Sequence, residues 1–340
     1  MAKRFNLDVE VMVAGFNISL LNEQLKNFNP KVVVVALSDD IKKVNHPNVK
    51  SGSYAILEAI ENATSNLVVN ALVGFVGLAP TLKAIECDKK IALANKESLV
   101  VAGKFINTSK ITPIDSEHFG LWYLQDETKK IDSLTITASG GSFRDTPLNQ
   151  LKNVTVKEAL NHPNWAMGSK ITIDSATMTN KLFELIEARW LFDTTSCDAI
   201  IEPKSIIHAM VNFKDGSTTA HIADANMQLP IAYAVLEKVE EQILKPIDFL
   251  ALQNLEFKKI ESSRYPIWEI KDELLHNENL GVVLNAANET GVKKFLDGDI
   301  SFLDISKLSL KAINHFHKTK LNNIDDIFHI DKEVRSFCNG

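Results

Sequence analysis

The segment Lys31-Val32-Val33-Val34-Val35-Ala36-Leu37 carries the clearest structural signal in this chain. Its unbroken run of apolar, mainly β-branched residues is typical of a strand that is buried on both faces. Similar runs occupy residues 9–15, 67–74 and 90–94, and stretches with helical spacing lie between them at residues 20–28 and 78–85. This alternation predicts a parallel sheet covered by helices in the N-terminal part of an α/β protein.

From Ser133 onward the pattern changes. Two strand-like runs, residues 206–211 and 218–222, flank the turn dipeptide Asp215-Gly216, which predicts antiparallel pairing. The region after Pro266 is predominantly helical in its spacing. We therefore predict a central α+β domain followed by a helical domain. The expected domains are residues 1–114, 115–235 and 263–340, with residues 236–262 as a linker.

The charge balance and the cysteines limit the classes of protein to which the chain can belong. The formal net charge of −6 argues against a broad nucleic-acid surface. Cys87, Cys197 and Cys338 are far apart and form no Cys-x-x-Cys pair, which predicts reduced thiols. The longest apolar tract, residues 67–80, contains Asn70 and is too short to span a bilayer. We therefore expect a soluble, cytoplasmic protein that binds neither nucleic acid nor membrane.

Asp115-Ser116-Glu117 is the first candidate for chemistry. If the segment is extended, its two carboxylates project to the same side and can coordinate a hard cation or share a proton. The apolar run 111–114 places the pair at the carboxyl end of a strand, where ligands bind in α/β folds. A solvated turn is the alternative interpretation, and it is the commoner outcome for an isolated Asp-x-Glu pair.

A second polar group opens a helix that is expected over residues 178–191. Glu184 lies four residues after Asn180 and three after Lys181, so all three side chains can share one helical face. The positive end of the helix dipole and its free N–H groups favour a phosphate. Lys181 would add positive charge, Asn180 an amide donor, and Glu184 would face a cation. An ordinary surface ion pair between Lys181 and Glu184 is the alternative.

Weaker signals surround these two groups. Ser139-Gly140-Gly141 follows a predicted strand, and such a turn can bring its backbone and hydroxyl close to a phosphate. His162 and Trp165 precede Gly168 on a predicted loop, which suits a lid that excludes water. Asn95-Lys96-Glu97-Ser98 follows a buried strand and opens a helix, either beside a ligand or with its first residue as a simple cap.

In this order, the polar segments resemble those of the 1-deoxy-D-xylulose 5-phosphate reductoisomerase family. The matching segments are ALANKESL at residues 92–99, PIDSEH at 113–118, ASGGSF at 138–143, HPNWAMG at 162–168, DSATM at 174–178, IEARWLF at 186–192 and NAANE at 285–289. The resemblance extends from about residue 13 to the C-terminal helices, and the ordered set is highly specific.

The resemblance implies an NADPH-dependent, divalent-metal enzyme of non-mevalonate isoprenoid biosynthesis, usually a homodimer, with a Rossmann-like cofactor domain. The implied metal ligands are Asp115, Glu117 and Glu184, and all-oxygen ligation suits Mg²⁺ or Mn²⁺. The implied catalytic residues are Lys96, Glu117 and His162, with Ser116 also beside the reacting part of the substrate. The implied phosphate ligands are Ser139, Ser175, Asn180 and Lys181, with His162 closing over them. The implied cofactor contacts are Gly15, Phe16, Asn17, Asn95, Glu97 and Gly168.

The same resemblance implies a two-stage reaction. The metal polarises the carbonyl and hydroxyl oxygens of 1-deoxy-D-xylulose 5-phosphate, and the carbon skeleton rearranges by retro-aldol cleavage and re-addition. NADPH then reduces the branched aldehyde phosphate to 2-C-methyl-D-erythritol 4-phosphate. One alternative is a non-catalytic homologue that binds metal and sugar phosphate but has lost its cofactor turn. Another is a different metal-dependent sugar-phosphate oxidoreductase.

The N-terminus departs from the family pattern. The family opens with a strand and a Gly-Ser-Thr-Gly-Ser-Ile-Gly turn, whereas this sequence starts at Met1, near the end of the helix that follows that turn. A strand, turn and helix of about 25–30 residues are expected to be missing. We therefore expect the natural start to lie upstream of Met1, and the strands beside the missing one to be exposed. Phe16 also stands where a basic residue could hold the 2′-phosphate of NADPH.

Overall fold

The computed structural model describes residues 1–126 and 128–340, and it has the predicted α/β architecture. The strands are β1 (Val11–Ala14), β2 (Val32–Val35), β3 (Val49–Ser51), β4 (Leu67–Asn70), β5 (Lys90–Leu93), β6 (Ile111–Pro113), β7 (Ile131–Ala138), β8 (Cys197–Ile201), β9 (Ile207–Phe213) and β10 (Thr218–Ile222). The helices are α1 (Ile18–Gln24), α2 (Ser53–Asn62), α3 (Leu78–Glu86), α4 (Lys96–Ala102), α5 (Ser116–Tyr123), α6 (Val156–Ala159), α7 (Ser169–Thr177), α8 (Thr179–Phe192), α9 (Gln228–Val235), α10 (Phe249–Leu252), α11 (Lys271–His276), α12 (Gly281–Asp297), α13 (Phe302–His315) and α14 (Ile324–Asn339).

The chain divides into two compact units. The first consists of Met1–Asn95, Ser109–Ile114 and Gln228–Glu241, and the second of Lys96–Thr108, Asp115–Met227 and Gln242–Gly340. Compared with the predicted domains, residues 96–108 and 228–235 lie in the opposite unit, and residues 236–241, which were predicted as part of the linker, belong to the first unit. Helix α4 joins the second unit because it packs on α8 and α12, whereas α9 packs on β5 and β6 of the first. The separation of the second unit into catalytic and helical domains stays a prediction.

The first unit contains two parallel sheets, β1-β2-β3 and β4-β5-β6. Val33, Val34 and Val35 of β2 are completely buried. Val33 and Val35 share a core with α1, whereas Val34 packs against Ala55 and Ala59 of α2. Because alternate residues of a strand face opposite sides, helices cover both faces of β2. The predicted parallel pairing and helix cover are confirmed, but the described strands form two sheets rather than the single sheet that was expected.

β1 and β4 are edge strands in the part of the chain that the structure describes. β1 pairs with β2 and β4 with β5, while Val13 of β1 and Val69 of β4 are 37% and 52% exposed. The carboxylate of Glu10, just before β1, accepts hydrogen bonds from the backbone N–H groups of Thr64 and Ser65, just before β4, at 3.0 and 2.6 Å. One carboxylate therefore ties the amino-terminal ends of these two exposed strands together.

The second unit is built on a mixed sheet with strand order β10-β9-β7-β8. β9 and β10 pair antiparallel across the predicted Asp215-Gly216 turn, where the φ of Gly216 is +88°. This positive φ is readily available to glycine and explains the turn. β7 runs antiparallel to β9 and parallel to β8. Helix α8 packs against α4, α5 and α7, and this packing brings the polar first turns of several helices together.

The last part of the chain is helical, as predicted. Helix α12 packs against α13 and α14, and Phe295 and Ile305 belong to an apolar core shared with α7. Helix α13 begins with a capping box between Ser301 and Asp304, which satisfies backbone N–H groups at its start. Among the described residues, no helix combines the length and the apolar character that crossing a bilayer would require.

Candidate active site

The amino end of α5 places the first two carboxylates. Asp115 is the N-cap of this helix and accepts a hydrogen bond from the backbone N–H of Glu117 at 3.3 Å. The segment Asp115-Ser116-Glu117 is therefore not extended, so the condition given above for its two carboxylates to share one side is not met. The chain turns into a helix immediately after β6, because an aspartate at the N-cap satisfies free N–H groups. The predicted position at a strand's carboxyl end is confirmed.

The third carboxylate lies on the second turn of α8. The predicted helix begins one residue later than expected, because Met178 adopts a left-handed conformation with φ of +72° between α7 and α8. Lys181 donates to the carboxylate of Glu184 in the same helix, and so does the amide of Asn180. The predicted shared face of these three residues is confirmed. Glu184 is 1% exposed, so the alternative of a surface ion pair is excluded.

Three carboxylates from two helices converge at one point of the second unit. Ligand oxygens of Asp115, Glu117 and Glu184 all lie within 4.8 Å of one another. The ammonium of Lys96 lies 2.7 Å from Asp115 Oδ2 and 2.9 Å from Glu184 Oε1. The ammonium of Lys181 lies 2.6 Å from Glu117 Oε1. We call these five residues the carboxylate cluster.

The electrostatics of the carboxylate cluster follow from burial and crowding. Burial raises the pKa of Glu117, and the carboxylate of Glu184 raises it further, to about 7. Burial would also raise the pKa of Asp115, but the ammonium of Lys96 holds it well below its ordinary value. Burial alone would lower the pKa of Lys96, yet the carboxylates of Asp115 and Glu184 raise it well above that of a free lysine. Three carboxylates thus compete for two ammonium groups.

The donor set suits a hard divalent cation. It offers carboxylate oxygens and neither sulfur nor imidazole nitrogen, and hard cations such as Mg²⁺ and Mn²⁺ prefer oxygen. When all three carboxylates are ionised, the two lysines leave one negative charge uncompensated. A buried excess of negative charge is unfavourable unless a cation joins it. Asp115, Glu117 and Glu184 can therefore hold the metal that the sequence predicts.

Two residues that support the carboxylate cluster were missed by the sequence reasoning. His118 is completely buried, donates from Nε2 to the backbone oxygen of Glu184 at 2.8 Å, and places Nδ1 3.2 Å from Glu187. Burial disfavours its charge, but the carboxylates of Glu187 and Asp115 raise the pKa of His118 to about 9. His118 follows Asp115 by three residues, and Glu187 follows Glu184 by three. That helical spacing was the available signal.

A second polar group lies on the turn after β7, on α7 and on the loop 161–168. His162 Nε2 lies 2.9 Å from Ser139 Oγ and 3.2 Å from Ser175 Oγ. We call His162, Ser139 and Ser175 the hydroxyl–imidazole group. The structure brings together two of the predicted phosphate ligands, Ser139 and Ser175, with His162, whereas Asn180 and Lys181 turn their side chains toward the carboxylate cluster.

The glycine turn allows close packing beside this group. Gly141 has a φ of +70°, and a Cβ at this position would lie 2.6 Å from Ser175 O and 2.6 Å from Ala176 Cα. Its backbone N–H donates to Ser139 Oγ at 3.1 Å. Glycine is therefore required for the turn to approach α7. The predicted approach of Ser139-Gly140-Gly141 to a phosphate stays a prediction.

Ser116 connects the carboxylate cluster to a buried imidazole. Its hydroxyl donates to Glu117 Oε2 at 2.7 Å and lies 3.2 Å from His208 Nδ1. The other ring nitrogen of His208 donates to the backbone oxygen of Ala223 at 3.1 Å. Burial lowers the pKa of His208. Ser116 thus lies beside the carboxylate cluster, and its place beside the reacting part of the substrate stays a prediction.

The predicted cofactor contacts lie in both units. In the first unit, Phe16 is 79% exposed, and Asn17 caps α1 by accepting from the backbone N–H of Leu20 at 3.0 Å. Asn95 is buried, and its amide donates to the backbone oxygens of Leu72 and Gly74 at 2.7 and 2.9 Å. Its role is therefore more than that of a simple helix cap.

The remaining predicted cofactor contacts differ in how much space surrounds them and in whether they already have a partner. Gly15 and Gly168 have open space at the Cβ position. Glu97, in the second unit, is buried and accepts from Lys170 at 2.7 Å. Its carboxylate therefore already has a cationic partner. The assignment of these residues to a cofactor stays a prediction.

Comparison with known proteins agrees with the motifs. Family models described as 1-deoxy-D-xylulose 5-phosphate reductoisomerase, and as the C-terminal domains of this enzyme, match residues 2–103, 111–192 and 222–337. The chain is 58% identical over 344 residues to the 1-deoxy-D-xylulose 5-phosphate reductoisomerase of Nautilia profundicola, an alignment that covers 99% of this chain and 94% of the relative.

Solved structures of the same enzyme share the fold. A DOX-P reductoisomerase in complex with NADPH, fosmidomycin and magnesium superimposes with a TM-score of 0.90 at 31% identity, covering 97% of this chain and 90% of that one. The enzyme from Zymomonas mobilis in complex with NADPH gives a TM-score of 0.88 at 33% identity, covering 99% and 93%. Because motif order, fold and sequence agree along nearly the whole length, the chain belongs to the 1-deoxy-D-xylulose 5-phosphate reductoisomerase family.

Proposed function

We propose that the chain catalyses the NADPH-dependent, metal-dependent conversion of 1-deoxy-D-xylulose 5-phosphate to 2-C-methyl-D-erythritol 4-phosphate. The observation that carries this proposal is the convergence of three carboxylates and two lysines within one unit that also holds the hydroxyl–imidazole group. A cation site and an oxyanion site are what a chelating sugar phosphate requires. Family membership supplies the identity of the substrate.

The carboxylate cluster is proposed to hold the metal. Asp115, Glu117 and Glu184 would bind Mg²⁺ or Mn²⁺, which supplies Lewis-acid polarisation of the substrate oxygens when bound. His118 and Glu187 keep the backbone and carboxylates of this cluster in place. Lys96, 7% exposed, is proposed to orient the oxygens of the substrate. The burial of the cluster excludes water and strengthens each of these interactions.

The hydroxyl–imidazole group is proposed to bind the phosphate. Ser139 and Ser175 offer hydroxyl donors and His162 a ring nitrogen, all from the second unit. Lys181 is proposed to add positive charge and Asn180 an amide donor at the start of α8. Binding the non-reacting end of the substrate restrains the reacting carbons, which lowers the entropic part of the barrier. The lid that the loop with Trp165 is expected to form also remains a proposal.

NADPH is proposed to bind the residues that the family resemblance implies, namely Gly15, Phe16, Asn17, Asn95, Glu97 and Gly168. The open space at Gly15 and the exposure of Phe16 support an accessible surface in the first unit. The nicotinamide supplies the reducing equivalent when it is bound. Solved relatives contain NADPH and magnesium, which supports both cofactors for this chain.

A homodimeric state and a cytoplasmic location are further proposals. Both rest on the family resemblance, and the free cysteines agree with a reducing compartment. Light scattering after gel filtration tests the homodimeric state. A mass of one chain at working concentration would reject the dimer.

The decisive assay follows NADPH absorbance in the presence of 1-deoxy-D-xylulose 5-phosphate and Mg²⁺, with product identified by mass spectrometry and NMR. We expect NADPH oxidation that depends on both substrate and metal, with 2-C-methyl-D-erythritol 4-phosphate as product. Binding of metal and substrate without NADPH oxidation would favour the non-catalytic homologue. A different product would identify another sugar-phosphate oxidoreductase.

A further inference from the structure

Asn164 anchors the loop that carries His162. Its side-chain amide donates to the backbone oxygen of Pro203 at 2.8 Å and to Ser205 Oγ at 2.7 Å. Both acceptors belong to the turn that follows β8. No helix or strand is formed by residues 161–168, so these two hydrogen bonds are specific attachments of an otherwise irregular segment.

The turn that accepts these hydrogen bonds from Asn164 is itself held by further hydrogen bonds. Glu202 is completely buried, and its carboxylate accepts from the backbone N–H groups of Lys204 at 2.8 Å and Ile206 at 2.7 Å. Arg144 donates to the backbone oxygens of Pro203 and Ser139 at 2.8 and 2.9 Å. The same arginine thus connects this turn to the backbone of the hydroxyl–imidazole group.

The anchored loop determines which nitrogen of His162 carries the proton. The backbone N–H groups of Asn164 and Trp165 both donate to His162 Nδ1, at 3.1 and 3.0 Å. A nitrogen that accepts two N–H groups cannot carry a hydrogen of its own. The proton of the neutral imidazole must then lie on Nε2, and Nε2 faces Ser139 Oγ and Ser175 Oγ.

We propose that Asn164 is a positioning residue that holds His162 in its Nε2–H tautomer, so that this ring donates a hydrogen bond to an oxyanion placed between Ser139 and Ser175. The choice of a phosphate ester as that oxyanion rests on the proposed function. The tautomer and its dependence on Asn164 rest only on the hydrogen bonds of this chain.

The surroundings of His162 support a neutral donor. Partial burial, together with the positive charges of Arg144 and Lys181, lowers the pKa of His162 to about 4. The ring is therefore uncharged at neutral pH. Protonation at Nδ1 would place a hydrogen against the two backbone N–H groups and would disrupt the loop. A fixed tautomer consequently gives one donor of defined direction, which two freely rotating hydroxyls cannot supply alone.

The tautomer can be measured directly. Long-range ¹H–¹⁵N NMR of ¹⁵N-histidine-labelled protein near pH 7.5, with a His162→Gln variant to identify the signals, reports the protonated nitrogen. We expect a protonated Nε2 and an unprotonated Nδ1 in the wild type, and a mixture of tautomers in Asn164→Ala. A wild-type ring protonated at Nδ1 would overturn the proposal, and so would an unchanged tautomer in Asn164→Ala.

Affinity for an oxyanion gives a second measurement. Titration with inorganic phosphate, followed by the same NMR signals, should show a dissociation constant about tenfold higher in Asn164→Ala. Ser205→Ala removes one of the two acceptors and should give a smaller increase. The exposed Asn161 serves as a matched control, and Asn161→Ala should bind phosphate like the wild type. Circular dichroism and melting temperature establish that each variant is folded.

Steady-state kinetics separate this inference from the proposed function. We expect Asn164→Ala to raise KM for 1-deoxy-D-xylulose 5-phosphate about tenfold while kcat changes less than about threefold. A folded Asn164→Ala with wild-type phosphate affinity would refute the positioning role, even if the wild type is an active reductoisomerase. If the wild type shows the tautomer and the Asn164-dependent phosphate binding but no turnover, the proposed function fails and this inference stands.

Discussion

Lys170 of α7 places its ammonium 2.7 Å from the carboxylate of Glu97 in α4. The same ammonium donates to Asp174 at 2.8 Å, and Asp174 accepts from the amide of Asn288 at 2.7 Å. Lys96 directly precedes Glu97 in the chain. This buried ion pair therefore fixes the helix that carries one lysine of the carboxylate cluster against α7.

Replacing Lys170 by Met should destabilise the protein strongly. The variant leaves two carboxylates, those of Glu97 and Asp174, buried without their cation, and breaking such a pair costs about 3–5 kcal/mol. Thermal unfolding followed by circular dichroism measures the loss. Lys157 is exposed on α6, so Lys157→Met is the matched control and should melt like the wild type. A melting temperature of Lys170→Met within about 2 °C of the wild type would contradict the assigned role.

Replacing Glu184 by Gln should reduce metal-supported turnover sharply. The substitution keeps the size of the side chain but removes one of the three carboxylates that converge at the cluster. We expect the Mg²⁺ concentration for half-maximal activity to rise by more than about tenfold, with a large fall in kcat. Glu273 lies exposed on α11, and Glu273→Gln should behave like the wild type. Near-normal metal dependence of Glu184→Gln would remove this residue from the ligand set.

The stability contributed by Glu10 should depend on pH. Lys31 and the backbone N–H groups of Thr64 and Ser65 hold the pKa of Glu10 well below its ordinary value of 4.5. A depressed pKa means that the stabilisation is fully present above about pH 4.5 and is lost as the pH falls below it. Melting temperatures of the wild type and Glu10→Gln should therefore differ at pH 7 and converge toward pH 3. A difference that is constant over this range would show that the charge is irrelevant.

Replacing Gly141 by Ala should separate the glycine turn from α7. The left-handed backbone alone costs about 1–2 kcal/mol for a residue with a Cβ, and the new atom would meet Ser175 O and Ala176 Cα at 2.6 Å. We expect a lower melting temperature and a KM for the sugar phosphate raised at least about tenfold, because Ser139 moves with the turn. A Cβ added at Gly291 in α12 would lie 3.4 Å from Ile305 Cγ2, an ordinary van der Waals contact, so Gly291→Ala should be tolerated. Unchanged kinetics of Gly141→Ala would show that the turn does not contribute to substrate binding.

The strands and most helices could be predicted because their signals are local. Four consecutive valines make both faces of β2 apolar, and the structure buries three of these valines completely. Where prediction was wrong, a single backbone conformation decided the outcome. The left-handed φ of Met178 delays the start of the predicted helix by one residue, and Asp115 begins α5 as its N-cap just after β6 ends. Neither conformation follows from hydrophobic periodicity.

The amino-acid sequence by itself determined the family, the parallel sheet and the acidic and hydroxyl residues of the site, since each rests on residue type and short spacing. Only the tertiary structure decided which charges meet. Lys96 reaches Glu184 across 88 residues of chain, and Lys181 reaches Glu117 across 64. Such contacts depend on how α4, α5 and α8 pack, and that packing is set by the burial of their apolar faces rather than by the polar residues themselves.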